Sequence, residues 1–512
     1  MGEFLKLKAD GLGTIRQVDP ALLSFNVEFA EVTGGTFWKA YPPEVISGEK
    51  MFDVDMSGGI AAAYKDLMQV YPPIDLYNEK LRKLTKQLDP KWIRVSGTWA
   101  TKTYYDFDGK YAPGEVPEGY LNVLTKEQWV GVLDFVKECG LKLMVSVAGC
   151  PGVYGCDCAP VPAWTPHEAD KLFKFSKEYG VPISASEFVN EPNMLSETGF
   201  PKGYTAEDHA RDQKIFQEWL AANYPEVMYV GPGAVGEAGM GNPGGANKGG
   251  GGIELLSTEM VTTAMLMGEK PAKLDVFSYH YYNGVSERLG GVMPSAHWME
   301  EEALTEGYLD VAPHSARVYG PMRDVYCPGG QMWVTESGDA GGGGDTWAST
   351  YLDVPRTLNE AGTFAQLTDG IIYHNTLTAS DYAWLDRITH DTRPNYYAVK
   401  LWDQIMGQTV LDPQEPIREG AHVFAHNRKD GKAGVAYCIV NNSETSATTV
   451  ELPKEAELYL LSPKDGKKRA TIMQLNGQDL VIDADANVPE MKGVAVSGTI
   501  EIPAICCAFI VL

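Results

Sequence analysis

Two acidic residues stand where paired-carboxylate chemistry could be done. Glu191 ends an apolar run in Val189-Asn190-Glu191-Pro192-Asn193, and Glu336 ends another in Trp333-Val334-Thr335-Glu336-Ser337. Held about 5 to 5.5 Å apart, two carboxylates support double displacement at an anomeric carbon, one attacking while the other protonates the leaving oxygen. In that scheme Glu336 is the nucleophile and Glu191 the acid/base. Glu191 must then keep its proton near neutral pH, which an apolar wall or a neighbouring negative charge achieves, and Glu336 itself supplies such a charge. Asn190 is placed to donate a hydrogen bond to a sugar 2-hydroxyl or to the nucleophile. Either glutamate alone says little, because an acidic residue after a strand also serves as a helix cap or loop ion-pair partner. Their conjunction matters if a fold brings both positions together.

The intervening elements supply such a fold. From about residue 20 to residue 400, short β-branched runs alternate with amphipathic stretches, the pattern of repeated β-α units. Eight strands are predicted, at 22–29, 92–97, 142–149, 184–191, 227–233, 274–282, 331–338 and 370–377. Helices are predicted between them, among them Leu76 to Leu88, Lys126 to Cys139 and His167 to Tyr179, with Thr125 and Thr165 as N-caps. Eight such strands fit a closed parallel barrel better than an open sheet. A barrel carries its chemistry at the C-terminal strand ends, where strands four and seven face one another. After about residue 408 the texture changes to alternation with Asn, Asp and Gly turns such as NNSE, KDGK and NGQD. The predicted fold class is α/β, a (β/α)8 TIM barrel over 21–405 with a C-terminal antiparallel β-sandwich over 406–512. Residues 1–20 alternate as well and are expected to add a strand to the sandwich, bringing the termini together.

Composition narrows the partners. The chain has 512 residues, 44% of them hydrophobic, and its 68 Asp+Glu against 43 Lys+Arg give a net charge of −25. Disorder is excluded by that hydrophobic content, and nucleic acid and anionic membranes are poor partners for such a charge. No apolar run approaches the roughly 18 to 20 residues that span a bilayer. MGEFLKLKADGLG lacks the pattern of a signal peptide, so a cytosolic chain or a mature secreted or periplasmic form is expected. Eight cysteines are ordinary usage, not a disulfide framework. Cys150, Cys156 and Cys158 lack the second Cys/His pair of a zinc site, and Cys506 and Cys507 read as packed thiols on opposite faces of a strand. Gly239, Gly241 and Gly244 have G-x-G-x-x-G spacing, but no strand turns directly into a helix there and Pro243 removes an amide, so a loop over the barrel mouth is expected. Neither a cofactor nor a metal is expected.

Asn190-Glu191 on strand four, Glu336 on strand seven and the His280-Tyr281-Tyr282 cluster on strand six look like clan A glycoside hydrolases, whose strand-six tyrosine commonly holds the nucleophile. The stretch WVTESGDAGGGGDT resembles the nucleophile segment of the heparanase and β-glucuronidase family, glycoside hydrolase family 79. LLSFNVEF, WIRVSGTWATKTYYDFDG, SYHYYNG and the run from Tyr382 through YYAVKLWDQIMGQTVL carry the resemblance over nearly the whole chain. It implies a barrel joined to a β-sandwich, and a glucuronic acid at the cleaved position. It also implies that His280, Tyr281 and Tyr282 line the site, that Glu28 and Thr98 contact sugar hydroxyls, and that Gly342, Gly343 and Tyr382 hold the uronate carboxylate. The glycine run fits that role, since successive backbone N–H groups form an anion-binding nest without a cation beside the nucleophile. Where the family often has a tyrosine before its glycines, this chain has Gly341, which removes one carboxylate contact.

The expected activity is that of a retaining β-glucuronidase acting on a terminal β-linked glucuronic or 4-O-methylglucuronic acid. Few cations accompany the motifs, Lys102 and Arg356 among them, which disfavours a densely sulfated chain. The segments 98–120 and 236–253 are long enough to wall off one end of a cleft. An endo-acting heparanase-like or hyaluronidase-like enzyme, another clan A glycosidase such as a β-xylosidase, and a non-catalytic carbohydrate-binding protein are the alternatives. Two mutually repelling carboxylates argue against the last.

Overall fold

The structure, a computed structural model, describes residues 2–239 and 261–512. Eight parallel strands close a barrel in chain order: Leu23–Glu28, Trp92–Ser96, Lys142–Val145, Ala185–Ser186, Met228–Val235, Val276–Val285, Gln331–Gly341 and Ile372–His374. Each lies within or overlaps one of the eight predicted strands. The fourth keeps only two residues of ladder, because the chain beyond Ser186 turns into the barrel mouth and Glu191 adopts a left-handed φ of 46°. Such a conformation is costly for a residue with a Cβ and concentrates at functional sites. Strands six and seven pair with a register shift between Tyr279 and His280, so that Tyr279 lies opposite Val334 but His280 opposite Glu336. A bulge of this kind re-aims side chains at a sheet rim.

Helix chemistry follows local rules. Thr125 caps Lys126–Cys139 through a reciprocal capping box with Gln128, and left-handed Gly140 ends that helix. Asn78 caps Glu79–Leu88, so the helix begins three residues later than its apolar pattern indicated. His167–Tyr179 is preceded by Pro166 rather than capped by Thr165, because the proline's φ of −75° already leads into the helix. Cys156 and Cys158 form a disulfide, a single local bridge where the sequence reading expected ordinary cysteine usage and no disulfide framework. Their Cα atoms are 5.5 Å apart, within bridging range.

The C-terminal strands form two facing sheets, and the N-terminal segment contributes a strand to each. Thr14–Gln17 pairs with Met406–Leu411 in the large sheet, and Phe4–Lys6 pairs with Thr448–Glu451 in the small one. Period-2 alternation splits the large sheet's side chains. Val423, Tyr437 and Ile510 pack toward the small sheet, whereas Phe424, Cys438 and Phe509 join the core shared with the barrel. Cys506 and Cys507 fall into opposite cores for the same reason. At the seam, Gly362 approaches Phe424 so closely that a Cβ would lie 2.2 Å from the ring, so any larger residue would push barrel and sandwich apart. Among the described residues no helix is long and apolar enough to cross a membrane.

Candidate active site

The barrel interior changes character along its axis. At the floor lies an apolar plug that includes Trp92, Met144, Val230, Val276 and Trp333. Two residues further along the second strand, the same inward face presents Arg94, which is 1% exposed. Burying a guanidinium is tolerable only with several acceptors, and Arg94 has them. Its Nε and Nη2 donate to Glu187 Oε2 at 3.0 and 2.7 Å, Nη2 to Asn190 Oδ1 at 2.7 Å, and Nη1 to Glu336 Oε1 at 2.8 Å. Tyr282 donates its hydroxyl to the other Glu336 oxygen at 2.9 Å. Both oxygens of Glu336 are therefore held, which sets the plane of the carboxylate.

His280 sits among three carboxylates. Its Nδ1 lies 3.1 Å from Glu191 Oε1 and 3.7 Å from Glu336 Oε2, and its Nε2 lies 3.8 Å from Glu187 Oε1. Burial works against its proton, but the charges of Glu336, Glu187 and Glu191 outweigh it and push the imidazole up to about 9. Burial likewise opposes ionisation of Glu187, yet Arg94 and His280 hold that carboxyl down at about 2. Glu191 is shifted the other way, raised by burial and then by the charge of Glu336, against the pull of His280 and Arg94. Glu28 is raised well above its ordinary range by burial and by Glu336. Glu191, His280 and Glu336 offer ligand atoms within 4.8 Å of one another. As an imidazolium, His280 meets the carboxylates as a donor, so the trio is charge-matched without an ion.

A cavity of about 280 Å³ opens above this network. Of the residues predicted from sequence, Glu28, Thr98, Glu191, Tyr282, Glu336, Gly342 and Tyr382 line it. Asn190 and His280 lie beneath it and act on it through Arg94 and Glu191. Asn190 Nδ2 has no acceptor among the described residues, so it remains available to a ligand. Gly343 sits beside the cavity with its carbonyl bonded to Ser380 Oγ at 2.8 Å. Tyr281 is corrected: one residue out of phase with His280 and Tyr282, it packs in the core behind the sheet, near Glu360 and Arg356. Arg356 is also placed away from the cleft, fully buried against Asp353 and Glu360. Lys102 donates to Glu197 O at 2.8 Å and lies 5.8 Å from the Trp99 ring centre. Gly241, Gly244 and most of segment 236–253 lie outside the described residues.

Sequence reasoning missed Arg94, Glu187 and Asn375. Asn375 Nδ2 donates to Glu28 Oε1, Tyr282 Oη and Tyr382 Oη at 3.2, 2.9 and 3.1 Å, tying strands one, six and eight together at the rim. Arg94 did leave a signal, as the one charge inside the apolar run WIRVS.

A closed eight-stranded barrel with two buried glutamates at its mouth, Glu191 in the segment after strand four and Glu336 within strand seven, is the arrangement of a glycoside hydrolase. The comparisons with known proteins agree. No family model matches the chain. It is 23% identical over 500 residues to heparanase-like protein 1 of Arabidopsis thaliana, covering 86% of this chain and 85% of that one. It is 23% identical over 455 residues to baicalin-beta-D-glucuronidase of Scutellaria baicalensis, covering 82% and 80%. Among solved structures, a 4-O-alpha-L-rhamnosyl-beta-D-glucuronidase from Fusarium oxysporum 12S superposes with a TM-score of 0.59 at 12% identity, over 99% of this chain and 100% of that one. The chain is thus a glycosidase that resembles the heparanase and β-glucuronidase family along most of its length.

Proposed function

We propose that the protein is a retaining β-glucuronidase that releases a terminal β-linked glucuronic acid, or its 4-O-methyl form, from a glycoconjugate or polysaccharide. The observation that carries this reading is the pair of carboxylates, with oxygens of Glu191 and Glu336 within 4.8 Å of one another. That approach is closer than the roughly 6.5 to 9.5 Å of an inverting pair and suits direct attack. Glu336, oriented by Arg94 and Tyr282, attacks the anomeric carbon. Glu191, kept protonated by burial and by the Glu336 charge, gives its proton to the leaving oxygen. Esterification of Glu336 removes that charge, Glu191 loses its proton more readily, and it then accepts one from the water that breaks the ester. Asn190 Nδ2 serves the 2-hydroxyl, where a contact that strengthens in the transition state is most effective.

For the carboxylate of the sugar, the unbonded amides of Gly342 and Gly343 and the Tyr382 hydroxyl are the proposed ligands, and Glu28 and Thr98 serve hydroxyls. Burial and the Glu28 charge keep the Tyr382 phenol protonated, so it stays a donor. Among the described residues no lysine or arginine side chain lines the cavity, whereas Phe37, Trp38, Trp99 and Leu289 do. That lining favours a weakly charged leaving group over a sulfated chain. A panel of aryl β-glycosides tests the reading: the glucuronide should be turned over well ahead of the xyloside and glucoside. A preference for the xyloside, or internal cleavage of a glycosaminoglycan with little action on the aryl glucuronide, would sink it.

A further inference from the structure

The glycine run after strand seven is held from behind at every carbonyl. Ser286 N donates to Gly341 O at 2.8 Å. Ser286 Oγ and Arg288 Nη1 donate to Gly342 O at 2.9 and 3.2 Å, Arg288 Nη1 donates also to Gly344 O at 2.9 Å, and Asp381 N reaches Gly343 O at 3.0 Å. By contrast, the amides of Gly342 and Gly343 have no acceptor among the described residues. A trans peptide is planar, with each N–H opposed to the preceding carbonyl. Turning the Gly341 and Gly342 carbonyls toward Ser286 and Arg288 therefore turns the Gly342 and Gly343 N–H groups away from them, and Gly342 lines the cavity. The φ values of 90° and 92° that this demands are open to glycine and strained for other residues.

Arg288 is 1% exposed and does not line the cavity. Its charge is matched by Asp381 Oδ2 at 2.5 Å, its Nη2 also reaches Lys39 O at 2.6 Å, and its guanidinium lies 3.7 Å from the centre of the Tyr41 ring. A buried, neutralised cation is not itself an anion site; its fork of five donors spans two glycine carbonyls, Lys39 O and Asp381 at once, which a lysine ammonium cannot do. We propose that Arg288 determines the specificity for a sugar carboxylate as a positioning residue that aims the Gly342 and Gly343 amides without touching the ligand. This rests on reading the cavity as a uronate site.

The test uses Arg288→Lys, which keeps the charge and loses the fork. The KM for an aryl β-glucuronide and the inhibition constant of free D-glucuronate should rise roughly 10- to 100-fold, the worth of one or two hydrogen bonds to a charged group. Inhibition by a glucose-configured iminosugar without a carboxylate should change by less than about threefold, since none of those bonds is lost to it. Parallel weakening of both inhibitors, as a general structural role would give, overturns the proposal, and so does unchanged glucuronate binding. If Arg288→Lys does not fold, Ser286→Ala removes the other side-chain donor to Gly342 O and should give a smaller shift confined to glucuronate; no such shift overturns it equally. A wild-type chain that neither cleaves the aryl glucuronide nor binds D-glucuronate overturns the proposed function instead.

Discussion

The floor and the mouth of the barrel are made by the same strands, and two to four residues of chain separate them. On strand two the inward positions are Trp92 and then Arg94; on strand four, Ala185 and then Glu187; on strand six, Val276, Ser278 and then His280. The floor is apolar, with Trp92 and Trp333 edge to face at 5.3 Å, and nothing in it titrates near neutrality. The mouth buries Arg94, His280, Glu187 and Glu336 together, and the neighbouring charges hold His280 and Glu187 in their charged forms against burial. The floor stabilises by burial, which is non-directional, whereas the mouth trades stability for fixed dipoles aimed at a reacting centre.

Mutations at the two levels should therefore fail differently. Glu336→Ala should lose roughly 10⁴-fold or more in kcat on every substrate. Glu191→Ala should lose about 10²- to 10⁴-fold on poor leaving groups, far less on highly acidic ones, and azide should restore deglycosylation. Equal loss on all leaving groups with no response to azide would reassign the acid/base.

Next in size, Glu187→Gln should cost about 3 to 5 kcal/mol of stability, since it leaves Arg94 and His280 short of a buried counter-charge. Its pH signature has a defined sign. Glu187 is held at about 2 against an ordinary 4.5, so its contribution is present above pH 4.5 and lost as pH falls toward 2. His280 is held at about 9 against an ordinary 6.5, so its contribution is present below pH 6.5 and lost as pH rises through 9. The melting temperature against pH should thus lose part of its acid slope in Glu187→Gln; a variant curve parallel to wild type would contradict the network.

Trp333→Ala should cost a similar 3 to 5 or so kcal/mol through the cavity it leaves, yet have the smallest effect on chemistry. Below its melting temperature, its dependence of rate on leaving-group acidity should match wild type. A changed dependence would mean that floor and mouth are coupled.

Much of this was legible in the sequence, for identifiable reasons. Strand periodicity and the placing of Glu191 and Glu336 at the barrel mouth needed only local pattern and the topology of a closed barrel, although strand four stops before Glu191 and strand seven runs on past Glu336 to Gly341. Alternation along Tyr279-His280-Tyr281-Tyr282 already separates Tyr281 from its neighbours, but treating the three as one cluster ignored it. Arg94 was visible as a lone charge in an apolar strand, though its partners Glu187, Asn190 and Glu336 lie 93, 96 and 242 residues away and carry no mutual signal. The glycine run could be read as an anion cradle. What aims it could not, since Ser286 and Arg288, at the start of the short helix Glu287–Gly290, and Ser380 and Asp381, on the loop after strand eight, meet the glycines only in the folded chain.

The central claim is that Glu336 and Glu191 act in two displacements on one glucuronide. Proton NMR of the first sugar released from an aryl β-glucuronide tests it most directly. The account predicts that the β-anomer of glucuronic acid forms first and then mutarotates; initial release of the α-anomer would contradict it.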